Sequence, residues 1–433
     1  MLLRITDGTT TYYTLSGDGV TILGCTYAPT NGGVAETVAE TGTVVLEGSE
    51  SAIRAVEDGV ESILGIVRQR EQMFAPYFYV EYRPSGSGTV YRSKLVDGKV
   101  LRDENPARRR VESSTNAVEL TVVWERENFW EETTESEIYL SSNTQTERTG
   151  GVTVYNNDNA TSSQNWAQAA ANRVTGQVEA PIRLRLANAS GADRDFSEFY
   201  FCNNVWSDPA NLNPFLLGAS AVGGATVSWT GSIAHTTDAY IWNLSNTVLT
   251  KTQGRYFRIL VAFTAMAGVG INVQASVGNW DGVFFTEIEN SGEIYAGSGK
   301  TLLLMTRPLP IAPGGYNLTS DWAALKLSFR SSASGSAGVD FVQMMPADNF
   351  RFIRQNGYAT ANGESVEDDG ILGGTYHYNA SGRKVALMTP YGQPIKVWPG
   401  RANRLHFLEY ETSFVAGRQM TMQAWYRPRW RVV

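Results

Sequence analysis

Apolar residues recur along this chain with two different periods. Between Ser51 and Arg70 they fall at Ile53, Val56, Val60, Ile63, Leu64 and Val67. Spacings of three and four place them on one stripe of a helix, with Arg54, Glu57, Asp58, Glu61 and Arg68 turned away. Ser49 or Ser51 supplies the oxygen that caps its first turn. Gly59 and Gly65 each weaken the helix by about 1 kcal/mol relative to alanine, so it has to lean on a sheet to persist. Ile53, Val60, Ile63 and Val67 are the expected buried contacts.

Elsewhere the period is two, the signature of strands. Tyr77, Tyr79 and Glu81 oppose Phe78, Val80 and Tyr82, and that run stops at Pro84. Val90 to Val96 and Lys99 to Arg102 read as a hairpin around Asp97-Gly98, a pair that tolerates the positive φ of tight turns. Val118, Leu120, Val122 and Trp124 alternate with polar neighbours as a half-buried strand. Gly150 to Asn165 is polar, with Tyr155-Asn156-Asn157-Asp158-Asn159 at its centre, and reads as a linker or crossover. Strands resume at Ala180, where Ile182, Leu184 and Leu186 alternate with Arg183 and Arg185. Further ones are expected at 226–230, 256–263, 270–277, 301–306, 324–329 and 339–345. The last stretch adds 385–389, 395–398, 404–410 and 420–427, with a turn at Pro399-Gly400. The expected fold is therefore mainly β, in four segments: 1–150 a β-sandwich with the helix 51–70 packed on it, 151–179 a linker, 180–346 a second β-sandwich, and 347–433 extra C-terminal strands. The last segment either extends the second domain or returns to the first.

Composition supports that picture and narrows the function. The chain has 433 residues, 42% of them hydrophobic and only 18% charged, enough apolar material for real cores. A net charge of −7 offers no basic face for nucleic acid. Cys25 and Cys202 lie in apolar stretches and read as small buried hydrophobes. No charged leader precedes an apolar run at the start, and no window holds the roughly 18 apolar residues of a membrane helix. Synthesis and folding in a cytoplasm, without membrane insertion, are expected.

The chemistry of catalysis is sparse. His235, His377 and His406 stand in no metal-ligand spacing, and no nucleophile elbow occurs. Gly297-Ser298-Gly299-Lys300-Thr301 suggests a phosphate loop, but Ile294 replaces the required earlier glycine and Leu302-Leu303-Leu304-Met305 reads as a strand instead of a helix. Glu367-Asp368-Asp369-Gly370 lacks the alternating ligands of a calcium loop and reads as an acidic turn. The chain is expected not to be an enzyme, with no catalytic, cofactor-binding or metal-ligating residue and no cofactor. Trp206, Trp229, Trp242, Trp280 and Trp322 are expected in a sandwich core, the alternative being an exposed platform for sugar rings. At the C-terminus, Trp425, Tyr426, Arg427, Arg429, Trp430 and Arg431 surround Pro428. They form either a last strand on this chain's own core or a contact with a neighbouring subunit. On the second reading, deleting Pro428 to Val433 leaves the fold intact and weakens assembly.

Two segments carry a family resemblance. The helix at Ser51 to Arg70, the Asp97-Gly98 hairpin and the strand Glu119 to Trp124 followed by Glu127-Asn128-Phe129-Trp130 resemble the tail-assembly fold of phage distal tail and tube proteins. ALMTPYGQPIKVWPGRANRLHFL and AWYRPRWRVV look like segments near the ends of siphophage tail structural proteins. YFRILVAF and VDFVQMMP are similar to the galectin-like or jelly-roll module such proteins append. The resemblance implies a distal tail protein of the virion, assembled in the host cytoplasm. It implies a homo-oligomeric ring, a hexamer by analogy, joining the tail tube to the hub and adhesion proteins of the baseplate. Recognition of a host-surface saccharide or receptor is the alternative function.

Overall fold

The computed structural model describes all residues except 34, 73–75, 102–116, 156–164, 196–197, 206–214, 218–220, 223–225, 235–239, 245–254, 298–301, 306, 311–321, 355–358 and 411–418. Statements about the whole fold refer to the described residues. The protein is mainly β, its ladders antiparallel, and it carries one α-helix. Two compact units form. The first comprises Met1–Ser136, Thr175–Glu179 and Arg427–Val433, and the second Glu137–Val174 and Ala180–Tyr426.

In the first unit, strands β1 (Leu2–Thr6), β2 (Thr11–Tyr13), β3 (Ile22–Thr26), β4 (Thr37–Glu47), β5 (Tyr79–Arg83), β6 (Tyr91–Leu101) and β7 (Ala117–Glu127) form a sheet ordered β2-β1-β5-β6-β7-β4-β3. A short strand β8 (Trp130–Glu132) pairs with β6, and the terminal strand Arg429–Trp430 pairs with β8. Helix α1 (Glu50–Gln72) covers one face of this sheet. Its N-terminus is capped by Ser49, whose Oγ accepts from the Ala52 amide at 3.3 Å. Ile53, Val60, Leu64 and Val67 are buried in the core, whereas Ile63 and Val56 are half-buried. The buried stripe thus centres on Leu64 and not on Ile63.

Two glycines explain how closely the helix and its neighbours pack. The expected hairpin at Asp97-Gly98 does not form: β6 runs straight through, with a bulge between Leu95 and Asp97 where it pairs with β7. A Cβ on Gly98 would stand 2.7 Å from Leu64 Cδ2, so this glycine serves the helix–sheet contact instead of a turn. Gly59, in the middle of α1, faces β2. A Cβ there would meet the Tyr13 hydroxyl at 1.8 Å.

The second unit is a stack of four larger sheets. The first holds Val152–Tyr155, Gln419–Tyr426, Ala180–Ala187, Ser365–Asp369, Thr375–Tyr378 and Lys384–Leu387, in that order. The second holds Ser141–Ser142, Trp166–Ala169, Asn403–Tyr410, Glu198–Val205, Phe350–Arg354 and Thr389–Gly392. The third is built on Gly335–Pro346 and Tyr256–Ala267, and the fourth on Tyr240–Asn243, Trp322–Arg330, Asn272–Trp280 and Phe285–Tyr295. Successive residues of a strand serve different cores. Phe199, Phe201 and Phe407 pack towards the first sheet, while Tyr200, Cys202 and Leu408 pack towards the third. Likewise Ile259 and Val261 face the fourth sheet and Leu260 and Ala262 face the second. Strands buried on both sides need apolar residues at every position, which is what the run Ile259 to Phe263 provides.

The chain order differs from the division expected at 150, 179 and 346. The stretch expected to link the domains contributes strands Val152–Tyr155 and Trp166–Ala169, because Val152, Val154, Ala167 and Ala169 alternate inward. The chain leaves the second sheet at Val205, builds the third and fourth sheets, and returns at Phe350. The residues expected as a C-terminal extension divide in the same way. Those up to Tyr426 complete the first and second sheets, and Arg427–Val433 returns to the first unit.

Candidate functional site

The reactive side chains singled out in the sequence are dispersed or neutralised. His377, itself buried, places Nε2 2.9 Å from Oε2 of half-buried Glu364, His406 is buried in the second sheet, and His235 lies outside the described residues. No group of three His, Cys, Asp or Glu close enough to hold a metal occurs among the described residues. Of the glycine-rich segment, residues 298–301 lie outside the description. Ile294 lies within strand Phe285–Tyr295, and Leu302–Leu304 is another strand, as the sequence implies.

The acidic run is not a turn. Glu367, Asp368 and Asp369 belong to strand Ser365–Asp369 because cations and hydroxyls meet their carboxylates. Asp368 Oδ1 accepts from Arg351 Nη2 at 3.0 Å and from Thr375 Oγ1 at 2.6 Å, and Glu367 accepts from Arg183 at 3.0 Å. Asp369 accepts from the Ile371 and Leu372 amides and so shapes the loop that follows.

Trp229 and Trp242 are buried between the third and fourth sheets, as a core requires, and Trp280 is half-buried. Trp206 lies outside the described residues and the Trp322 side chain is not described. Cys202 is fully buried, which pushes its thiol pKa up, while Cys25 is half-buried with its thiol raised to about 11 for the same reason.

A polar network that the sequence reading missed sits inside the first unit. Arg126 donates through Nε to Glu40 Oε2 at 2.8 Å and through Nη2 to Glu40 Oε1 at 2.6 Å. Glu40 also accepts from the Tyr27 hydroxyl, the Trp124 indole and the Thr30 amide. Both charged side chains are essentially inaccessible to water. Their inward parity is a signal the sequence does carry: Glu40 continues Val38, Val44 and Leu46, and Arg126 continues Leu120, Val122 and Trp124.

The terminal residues have partners within the first unit. Glu131 accepts from Arg92, Arg427 and Arg429, and the Trp430 indole donates to Glu132 Oε1 at 3.1 Å. Arg431 N donates to Gln177 Oε1 at 2.9 Å, and Val433 packs on the core. These contacts make the segment a last strand on its own unit.

Two surfaces remain as candidate sites. On the sheet face of the first unit that turns away from α1, Thr43, Val45, Thr121 and Val123 are half-buried, and Ala39, Thr41, Lys99 and Leu101 are exposed. They align across β4, β7 and β6, with Thr41 opposite Val123 and Val123 opposite Lys99. Edge strand β3 borders this sheet, and Val20 (83% exposed) and Leu23 (55%) lie beside and within it. In the second unit, the outer face of the first sheet carries Trp425, Arg183, Glu367, Tyr376 and Tyr378, all half-buried. Arg183 lies 4.1 Å from the Trp425 ring centroid, and the Tyr378 hydroxyl donates to Glu367 at 3.2 Å. Burial, helped by Glu367, pushes Tyr378 up to about 12. Lys384 Nζ sits 3.7 Å from the centre of the Tyr376 ring.

No helix among the described residues is long and apolar enough to cross a membrane. No family model and no curated protein matches the chain. Among solved structures, it is weakly similar to the T=1 particles derived from infectious bursal virus, with a TM-score of 0.17 and 10% identity over 68% of this chain and 77% of that one. A second likeness, to the Gx strain of infectious bursal disease virus, has a TM-score of 0.17 and 11% identity over 68% of this chain and 81% of that one. Neither score reaches the level of a shared fold.

Proposed function

We propose that this chain is a structural virion component that acts by assembling with copies of itself, as a ring at the tip of a phage tail. The observation that carries the reading is the outward face of the first unit's sheet, where Ala39, Thr41, Lys99 and Leu101 are exposed among the described residues. Threonine and valine there form a weakly polar surface opposite a helix-backed core, and β3 is the last strand of that sheet among the described residues. Such a face and edge suit burial against another subunit. The helix, the sheet and the Phe129-Trp130 exit belong to the segments by which the sequence resembles distal tail proteins, whereas the Asp97-Gly98 hairpin of that resemblance does not form. On that analogy the ring is a hexamer between the tail tube and the hub or adhesion proteins, built in the host cytoplasm. Assembly requires no catalytic residue. Sedimentation of the full chain tests the reading. The parent is expected to sediment as an oligomer, and the double variant Thr41→Arg, Val123→Arg as a folded monomer. A monomeric parent would sink it.

A second reading has its own observation. The row Trp425, Arg183, Glu367, Tyr376 and Tyr378 combines aromatic planes with hydrogen-bonding groups, the mixture that engages sugar rings. The chain would then recognise a host-surface saccharide through its second unit, and not through the tryptophans of the inner sandwich. Binding to an array of printed glycans that Trp425→Ala abolishes would favour it, and an array without a single retained glycan would dismiss it.

A further inference from the structure

The contact between the second and third sheets of the second unit differs from the other two cores. Among the described residues it is the smallest, built from Tyr200, Cys202, Phe350 and Leu408 against Leu260, Ala262, Leu302, Phe341 and Met345. It also contains polar groups that an apolar core would omit. His406 lies on strand Asn403–Tyr410, in register with Cys202 on one side and Trp166 on the other. It is 3% exposed, and neither ring nitrogen has a hydrogen-bond partner among the described residues. Gln343 on the third sheet is fully buried. Its Oε1 accepts from Asn165 Nδ2 at 3.2 Å, while its Nε2 has no partner among the described residues.

We propose that this contact is an acid-sensitive seam: neutral His406 lets the two sandwiches of the second unit stay joined, and a proton on His406 parts them.

Among the described residues, the charged groups on the two facing surfaces do not compensate an imidazolium. Arg404, two residues earlier on the same strand, adds a positive charge; its guanidinium lies 4.2 Å from the Trp166 ring centre and donates to Gln168. Glu198 on the second sheet already accepts from Tyr200 and Arg354. From the third sheet comes Arg258, another cation, whose pKa is lowered by burial and which lies 5.7 Å from the Phe350 ring centre. Cys202 is held as the neutral thiol by burial.

Burial first, and then Arg404, bring the His406 pKa down to about 3. In an open seam the imidazole titrates near its ordinary value of about 6.5. Between those values the open form binds the extra proton. The closed form is therefore fully favoured above about pH 6.5 and loses about tenfold per pH unit below it, until about pH 3. The sense is that of a buried neutral histidine, with stability present at high pH and lost on acidification.

Cys202 provides a built-in reporter because its thiol faces the same seam. In a Cys25→Ser background of the full chain, reaction of Cys202 with 4,4′-dithiodipyridine is followed from pH 7 to 4. Rates are taken relative to glutathione at each pH. The expected result is a relative rate that rises about tenfold per pH unit between about pH 6 and 4, with an unchanged far-UV spectrum. The rise should be absent in His406→Leu. An equal rise in both proteins, or a flat profile in the parent, overturns the proposal. If His406→Leu does not fold, His406→Gln decides: a side chain that takes up no proton should likewise abolish the rise, and a rise retained in it overturns the proposal equally.

Discussion

At the scale of single residues, the sharpest constraint is the Arg126–Glu40 pair. Two unit charges out of contact with water are tolerable only because every oxygen and most guanidinium protons have partners, including the Glu127 and Thr30 carbonyls. Arg126→Met should cost about 3–5 kcal/mol, read as a fall in the urea midpoint, because Glu40 is left buried beside three neutral donors. Arg126→Met combined with Glu40→Gln should recover part of that loss, and a double variant no better than the single one would show that the charge is not what matters. The helix glycines give a finer test. Gly65 has open space around its missing Cβ, whereas Gly59 has the Tyr13 hydroxyl. Gly65→Ala should stabilise by about 1 kcal/mol through helix propensity, and Gly59→Ala should fall short of that gain by at least ~1 kcal/mol because Tyr13 must move.

At the scale of elements, the two periods in the sequence locate the helix and most strands, and they fail for physical reasons at particular places. Tyr256–Ala267 and Trp322–Arg330 are legible because apolar residues fill both faces. Ser365–Asp369 is not, because its carboxylates are neutralised by Arg351 and Arg183, which are far away in the chain. Phe285–Tyr295 is an edge strand with a largely exposed, polar face, so it lacks the apolar alternation that marks the others. Asp97-Gly98 misleads because glycine answers two different needs, a positive φ in a turn and a close approach in a packed sheet. The candidate surfaces were less legible than the elements: alternation shows which residues face outward, but not which outward faces stay uncovered. In α1 the distinction between Leu64 and Ile63 is measurable. Leu64→Ala should cost about 2–5 kcal/mol and Ile63→Ala clearly less, by chemical denaturation of each variant. Equal costs would mean that the helix is rotated about its axis.

At the scale of the whole molecule, the chain is a set of nested returns. The third and fourth sheets interrupt the sandwich that contains the second, and that sandwich is in turn bracketed by residues of the first unit. The ends of such insertions carry stability, because each return supplies a strand to a sheet begun earlier. The Trp430 and Arg429 contacts with Glu132 and Glu131 make the terminal segment part of the first unit. Deleting Pro428 to Val433 is therefore expected to lower a calorimetric transition by about 5 °C or more, and not merely to weaken assembly. An unchanged thermogram would return the segment to the role of a contact for neighbours. The central claim, that the protein works by closing on copies of itself, is tested most directly by negative-stain electron microscopy of the purified full chain. The account predicts closed rings of uniform diameter with a single rotational symmetry, and a field containing only separate single-chain particles would contradict it.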